Sequence, residues 1–217
     1  TLRDEVCRHF GFFLATGNQV VGYPIAGPGN DLSPGRRRYN FVWYTPAEGN
    51  ELCEMLTDAA GVRHDISIPP PLIRDEVIEA MHRKAEAALA RPFVEMLRLS
   101  ERPFFTPIYD HASPAMARGR VALSGDAAFV ARPHVGMGVT KAAGDALALA
   151  RCLEGTGSIR EKLAEFSRQR TVRSHAAFAR GRTLGSYIYE KPEHGDNLDG
   201  ASNPNIEIIM DQTAVAI

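Results

Sequence analysis

Between Arg120 and Asp145 the chain gathers residue types that could hold a ligand without any metal or nucleophile. The order is Arg120-Val-Ala-Leu-Ser-Gly-Asp126, then Ala127-Ala128-Phe129, then Arg132-Pro133-His134-Val135-Gly136-Met137-Gly138, then a run of small residues that includes Asp145. An apolar strand from Val121 to Leu123, read as buried, ends in Gly125-Asp126 and places a carboxylate at the carboxyl edge of a sheet, where ligands of α/β sheets bind. Such a carboxylate can accept hydrogen bonds from the hydroxyls of a ribityl or ribose chain. Gly136 and Gly138 lack a Cβ, so a flat ring can approach their backbone closely. The helix expected from about Val139 to Leu153 directs its free N–H groups and positive dipole end at whatever lies before it, which favours negative charge there. A strand, a glycine turn and a helix that merely pack would leave Asp126, Pro133 and both glycines unexplained together.

This order and spacing resemble the second flavin-binding motif of the single-component FAD-dependent aromatic hydroxylases, the p-hydroxybenzoate hydroxylase-like family. That pattern is Gly-Asp-Ala-Ala, then Pro-x-x-Gly-x-Gly, then a helix with an acidic residue, here Gly125 to Ala128, Pro133 to Gly138, and Asp145. The resemblance implies an α/β fold with α+β character: the C-terminal part of an FAD-binding fold, into which a mixed β-sheet substrate domain is inserted. It implies FAD as cofactor and NADH or NADPH as co-substrate. O₂ would be activated as a flavin C4a-hydroperoxide that hydroxylates a small aromatic or N-heteroaromatic ring. Residue by residue, Gly125 and Asp126 would meet the ribityl chain and Pro133 would shape the loop beside the ring. Gly136, Met137 and Gly138 would bring N–H groups to the pyrimidine edge, where a reduced flavin carries negative charge. His134 would border the substrate or help a proton leave it, its ordinary pKa lying near neutrality; a loop histidine bonded to backbone is the other reading. Asp145 is expected to meet backbone or an arginine. Phe129 stands where the family often has His, a departure that implies different packing beside the flavin. Arg132-Pro133-His134 and Lys141-Ala142 resemble most closely the branch that hydroxylates dihydroxypyridines. Another flavin oxidoreductase of the same fold (epoxidase, halogenase or dehydrogenase) and a non-catalytic remnant remain open.

No Gly-x-Gly-x-x-Gly fingerprint for the ADP half of FAD occurs: Gly27-Pro28-Gly29 leads into Asn30-Asp31 and Pro34, not a helix. The chain therefore reads as the central and C-terminal part of a longer flavoprotein. In that reading one face of the Val121–Leu123 strand lacks neighbours. Members of the family have no separate nicotinamide domain, so its absence carries no information.

The elements that must position this loop follow from periodicity. Gln19 to Ile25 and Tyr39 to Tyr44 are β-branched and aromatic and read as strands joined by a Gly/Pro-rich connection. Phe10 to Leu14 and Phe104 to Tyr109 are further strand candidates, the last at an edge or bulge because of Pro107. Alternation puts Asn40, Val42 and Tyr44 on one face and Tyr39, Phe41 and Trp43 on the other. One face should be core and the other a substrate wall, with Tyr23, Asn40, Val42, Trp43 and Tyr44 as wall candidates, Tyr44 and Asn40 as the best polar ones, and Tyr44 as the catalytic candidate. Helices are expected over 47–60, over 73–90 with a shorter continuation past Pro92 to Leu99, and over 158–189 with breaks near Gly181 and Gly185. Three regions result: 1–115, the substrate-domain sheet and helices; 116–154, the FAD-binding strand, loop and helix; and 155–217, a C-terminal helix and tail. The polar, turn-rich segment from Lys191 and the apolar Ile206–Met210 are expected to form an extended arm, consistent with a homodimer.

The chain has 217 residues and a net charge of −1, so no global field draws it to nucleic acid or an anionic membrane. Arg36-Arg37-Arg38 reads as a solvated strand entry, with an anion contact as the alternative. Cys7, Cys53 and Cys152 are dispersed and odd in number, which fits a reduced, cytoplasmic compartment. The seven histidines form no metal-ligand spacing, so no metal is expected.

Overall fold

The structure, a computed structural model, describes residues 6–15, 17–189, 211 and 213. The expected arm therefore lies outside the described residues, except for Asp211 and Thr213. The described chain divides into two units, one reaching to Pro107 and one from Ile108 to Tyr187. This division falls at other places than the breaks expected after 115 and after 154.

The first unit is built on an antiparallel sheet of β1 (Gly11–Ala15), β2 (Asn18–Ile25) and β3 (Arg38–Tyr44). Its register pairs Phe13 with Val20, Val20 with Trp43, Gly22 with Phe41 and Gln19 with Tyr44. The face question left open by alternation is resolved here. Tyr39, Phe41 and Trp43 pack with Phe13 and Val20 against Ala85, Leu89, Phe93, Met96 and Leu97 of the helical layer. Tyr39 lies across Gly11 and Gly22, where a β-carbon would stand 2.7 and 2.6 Å from its hydroxyl and ring. Asn40, Val42 and Tyr44 consequently share the opposite face with Tyr23, which is 40% exposed and stacks on Phe10.

The helical layer comprises α1 (Gly49–Met55), α2 (Asp75–Ala88) and α3 (Arg91–Leu99). The helical stretch is interrupted as expected: α2 ends at Ala88 and α3 begins at Arg91, with Pro92 in its first turn, where a missing N–H costs nothing. A second core joins Leu56, Ile68, Ile73 and Val77. Phe104 to Tyr109 is not a strand; Pro107 within it and Pro103 just before it remove ladder donors, and Phe105 packs on the second core instead. The three arginines brace their own loop. Arg36 pairs with Asp31, Arg37 donates to the Leu32 carbonyl and Arg38 to that of Ala26.

The second unit carries four two-residue strands: β4 (His111–Ala112), β5 (Ala117–Arg118), β6 (Val121–Ala122) and β7 (Phe129–Val130). β4 pairs with β7 and β5 with β6, both antiparallel. The expected buried strand at Val121–Leu123 is corrected by this geometry: Val121 is 65% exposed and Leu123 38%. The segment pairs tightly with β5, and only Ala122 turns inward, onto the Met116 and Phe129 core, while Val121 and Leu123 face solvent. Two helices complete the unit, α4 (Gly138–Glu154) and α5 (Ile159–Tyr189). Met116, Ala128, Phe129 and Phe166 form its core, and Phe129 meets His175 edge-on at 4.9 Å between ring centroids. The departure at Phe129 thus becomes core packing. Among the described residues no helix is long and apolar enough to cross a membrane, and none group as a metal site.

α5 runs unbroken through Gly181 and Gly185, against the expected break. The glycines serve close approach. A β-carbon at Gly181 would stand 3.1 Å from the Arg132 amide nitrogen, and one at Gly185 would stand 3.1 Å from His134 Nδ1. The loop before α4 is therefore seated directly on α5.

Candidate functional site

After β6 the chain turns through a 3₁₀ segment, Gly125–Ala127. Gly125 has φ 59°, in the left-handed region that side chains avoid, and a β-carbon there would press on Ala142 at 3.3 Å. Asp126 follows at once. It is exposed and makes no hydrogen bond or ion pair among the described residues. A solvent-facing carboxylate next to a rigidly specified turn is free to accept hydrogen bonds from a ligand.

A second turn, Pro133–Val135, ends at Gly136 with φ 65° and ψ 17°. Met137, buried, is the N-cap of α4 but gives it no side-chain cap. The first intrahelical bond is from the Lys141 N–H to the Met137 carbonyl. The leading N–H groups of α4 therefore point outward with the positive end of the helix dipole behind them. Among the described residues, a β-carbon at Gly138 would meet no atom within 4 Å beyond its chain neighbours and the backbone of its own helix. The space before the helix is open where the ring of a ligand would stand. The residues thus suit the flavin that the sequence implies: a free carboxylate, an uncapped helix start and an unfilled glycine position lie along one loop.

The turn is held by charges that the solvent does not reach. Asp145 is wholly buried; its Oδ2 accepts the Gly125 N–H at 2.9 Å and its Oδ1 accepts Arg170 Nε at 2.7 Å. Lys141 Nζ donates to the Gly125 carbonyl at 2.9 Å and stands 3.6 Å from Asp145 Oδ2. Asp145, expected to meet backbone or an arginine, meets both. Sequence reasoning missed Arg170. Its signal was a charged residue on the stripe Leu163, Phe166, Ser167, Ser174 and Ala177, which is buried in α5.

His134 is buried, 2% exposed, against Gly185. Burial, with the neighbouring Arg132 charge second, lowers its pKa to about 4. The near-neutral titration behind the proton-transfer expectation is therefore absent, and the imidazole is neutral at physiological pH. The unfolded chain binds this proton below about pH 6.5 and the folded chain only below about pH 4. Stability is thus fully present above pH 6.5 and is lost as pH falls through this window. The expected contribution is roughly 2–4 kcal/mol, and denaturant melts of His134→Leu at pH 7 and pH 4.5 should show a shallower loss than the parent. Tyr44, half-buried at the end of β3, belongs to the other unit.

The family model for FAD binding domain-like proteins matches residues 1–110, half of the chain. The chain belongs to the FAD binding domain-like family. The matched span ends before the Gly125–Gly138 loop, so the two lines of evidence rest on different residues. A 2,6-dihydroxypyridine 3-monooxygenase of Paenarthrobacter nicotinovorans is 31% identical over 201 residues, covering 90% of this chain and 49% of the relative. Among solved structures, 2,6-dihydroxypyridine-3-hydroxylase from Arthrobacter nicotinovorans superposes with a TM-score of 0.78 at 28% identity, over 89% of this chain and 49% of that one. Klebsiella pneumoniae HpxO, solved with FAD and uric acid, gives a TM-score of 0.58 at 22% identity over 85% of this chain and 41% of its own, a likeness of fold. The chain spans about half the length of the curated relative it matches. Its fold is that of the FAD-dependent hydroxylases, a mixed assembly of sheet and helices.

Proposed function

We propose that this chain supplies the flavin-ring side of an FAD-dependent monooxygenase that hydroxylates an aromatic or hydroxypyridine-type ring with NAD(P)H and O₂. The observation that carries the reading is the Gly125–Gly138 loop: an exposed carboxylate without a partner among the described residues, followed by an uncapped 17-residue helix whose first glycine faces open space. The dihydroxypyridine hydroxylase likeness over nine-tenths of the chain supports the substrate class. A cytoplasmic setting, where NAD(P)H is at hand, belongs to the same reading.

Bound FAD, once reduced by NAD(P)H, would supply the oxygen-activating chemistry, which no side chain here could replace. Asp126 would accept hydrogen bonds from the ribityl hydroxyls. The backbone N–H groups at Gly136, Met137 and Gly138 would hold the pyrimidine edge and favour negative charge on it. Pro133 fixes the approach of the loop, and neutral His134 secures its seat on α5 rather than carrying a proton. Tyr44 and Asn40, on the sheet face turned away from the core, are the polar groups assigned to the substrate wall.

Asp126→Ala is expected to weaken FAD binding about 10- to 150-fold, the worth of roughly 1.5–3 kcal/mol for a hydrogen bond to a charged group. Fluorescence titration of the flavin measures it, and an unchanged Kd would remove Asp126 from the site. The activity itself is tested by NAD(P)H oxidation with dihydroxypyridines and phenols. Stimulated oxidation with a hydroxylated product is expected; FAD binding without any hydroxylated product would favour another flavin oxidoreductase of this fold.

A further inference from the structure

We infer that Lys141, together with the Asp145–Arg170 pair, is a positioning group for Asp126: it acts on the ligand carboxylate through the Gly125 peptide. The inference rests on the flavin reading above and names residues that no part of that reading uses. Gly125 is unusual in that both of its backbone polar atoms are taken by charged side chains of one helix. Its N–H goes to Asp145 Oδ2 at 2.9 Å, and its carbonyl receives Lys141 Nζ at 2.9 Å. The carbonyl also accepts the Ala128 N–H at 3.2 Å, closing the 3₁₀ turn around Asp126. Lys141 and Asp145 are four residues apart on α4 and so present one face to the turn. Arg170 of α5 holds the far oxygen of Asp145 at 2.7 Å and reaches the Lys141 carbonyl at 3.4 Å.

The burial of these groups sets the argument apart from ordinary surface pairing. The side chains of Lys141, Asp145 and Arg170 are 3%, 0% and 11% exposed. Desolvating three charges costs nearly what their attraction returns, so such a network is a weak device for stability. It is a strong device for geometry, because each donor and acceptor has one satisfied arrangement. Two cations against one carboxylate also leave a net positive charge under the residue preceding Asp126. That charge favours negative charge on a ligand beside it. A left-handed glycine alone would allow the turn; the clamp selects one orientation of the next residue.

The test is a double-mutant cycle between Lys141→Met and Asp126→Ala in the flavin-loaded protein, read by FAD affinity and by the visible circular dichroism of the bound flavin. Met keeps the unbranched apolar stem of Lys and removes the donor. Lys141→Gln restores a donor without the charge and carries the same cycle should the Met variant fail to fold. Lys141→Met is expected to raise the FAD Kd about tenfold when Asp126 is present, and less than about twofold when Asp126 is already Ala, the signature of coupled positions. Lys141→Gln should recover part of the loss and of the dichroism. An equal factor in both backgrounds, or no change in either, would overturn the inference while Asp126→Ala alone still weakened binding and upheld the flavin reading. No effect of Asp126→Ala would overturn both.

Discussion

Asp145→Ala is expected to destabilise the second unit by about 3–5 kcal/mol, the usual cost of breaking a buried ion pair by removing one partner. The substitution leaves Lys141 and Arg170 without their shared carboxylate, both still buried and both positive. It also strips the buried Gly125 N–H of its acceptor, a further unsatisfied group. Asp145→Asn tests the charge separately. It keeps the shape and one acceptor oxygen, yet it turns an amide donor toward a cation and removes the counter-charge. Urea melts followed by far-UV circular dichroism give both numbers. A loss below about 1 kcal/mol in both variants would show that the cations find water or another carboxylate. The contrast with surface pairs is sharp. Arg91–Glu95, whose arginine is 89% exposed, should be removable with a change near the measurement error.

What the sequence made legible, and what it hid, divides by the range of the interactions. Gly125, Asp126, Pro133, Gly136 and Gly138 lie within fourteen consecutive positions and constrain one loop, so their joint pattern was visible without any tertiary knowledge. The three strands of the first sheet were visible for the same reason, since β-branched and aromatic runs alternate along them. The sheet faces were not assignable, because alternation defines two faces but not which one α2 and α3 will cover; the Phe13, Phe41 and Trp43 cluster decides that. Arg170 was invisible as a partner because it stands 25 residues from Asp145, on another helix. Gly181 and Gly185 misled in the opposite direction. Glycine in a helix reads as a break by propensity, whereas here the loop carrying Arg132 and His134 needs the missing side chains. His134 shows the same limit for chemistry: its residue type suggested a proton carrier, but burial pushes its pKa to about 4.

Gly138→Val is expected to abolish tight flavin binding while leaving the fold intact, a separation that few single substitutions achieve. The backbone of Gly138 has no positive φ, so a branched side chain is not strained there, and among the described residues no atom outside its chain neighbours and own helix lies within 4 Å of the added β-carbon. Valine is also the better helix former of the two by a few tenths of a kcal/mol, so the melting temperature should hold or rise slightly. The new side chain enters the space in front of the uncapped start of α4, where a flat ring must meet the backbone N–H groups. An FAD Kd raised about 100-fold, or ~2.7 kcal/mol, is the expected result. Gly136→Val is the informative companion. At φ 65° a β-branched residue is strained by about 1–3 kcal/mol, so this variant should lose both stability and flavin. Thermal melts beside fluorescence titrations of the two variants decide the matter. If Gly138→Val keeps the parental FAD affinity, the open space before α4 is not where the flavin ring stands, and the glycine serves only to start the helix.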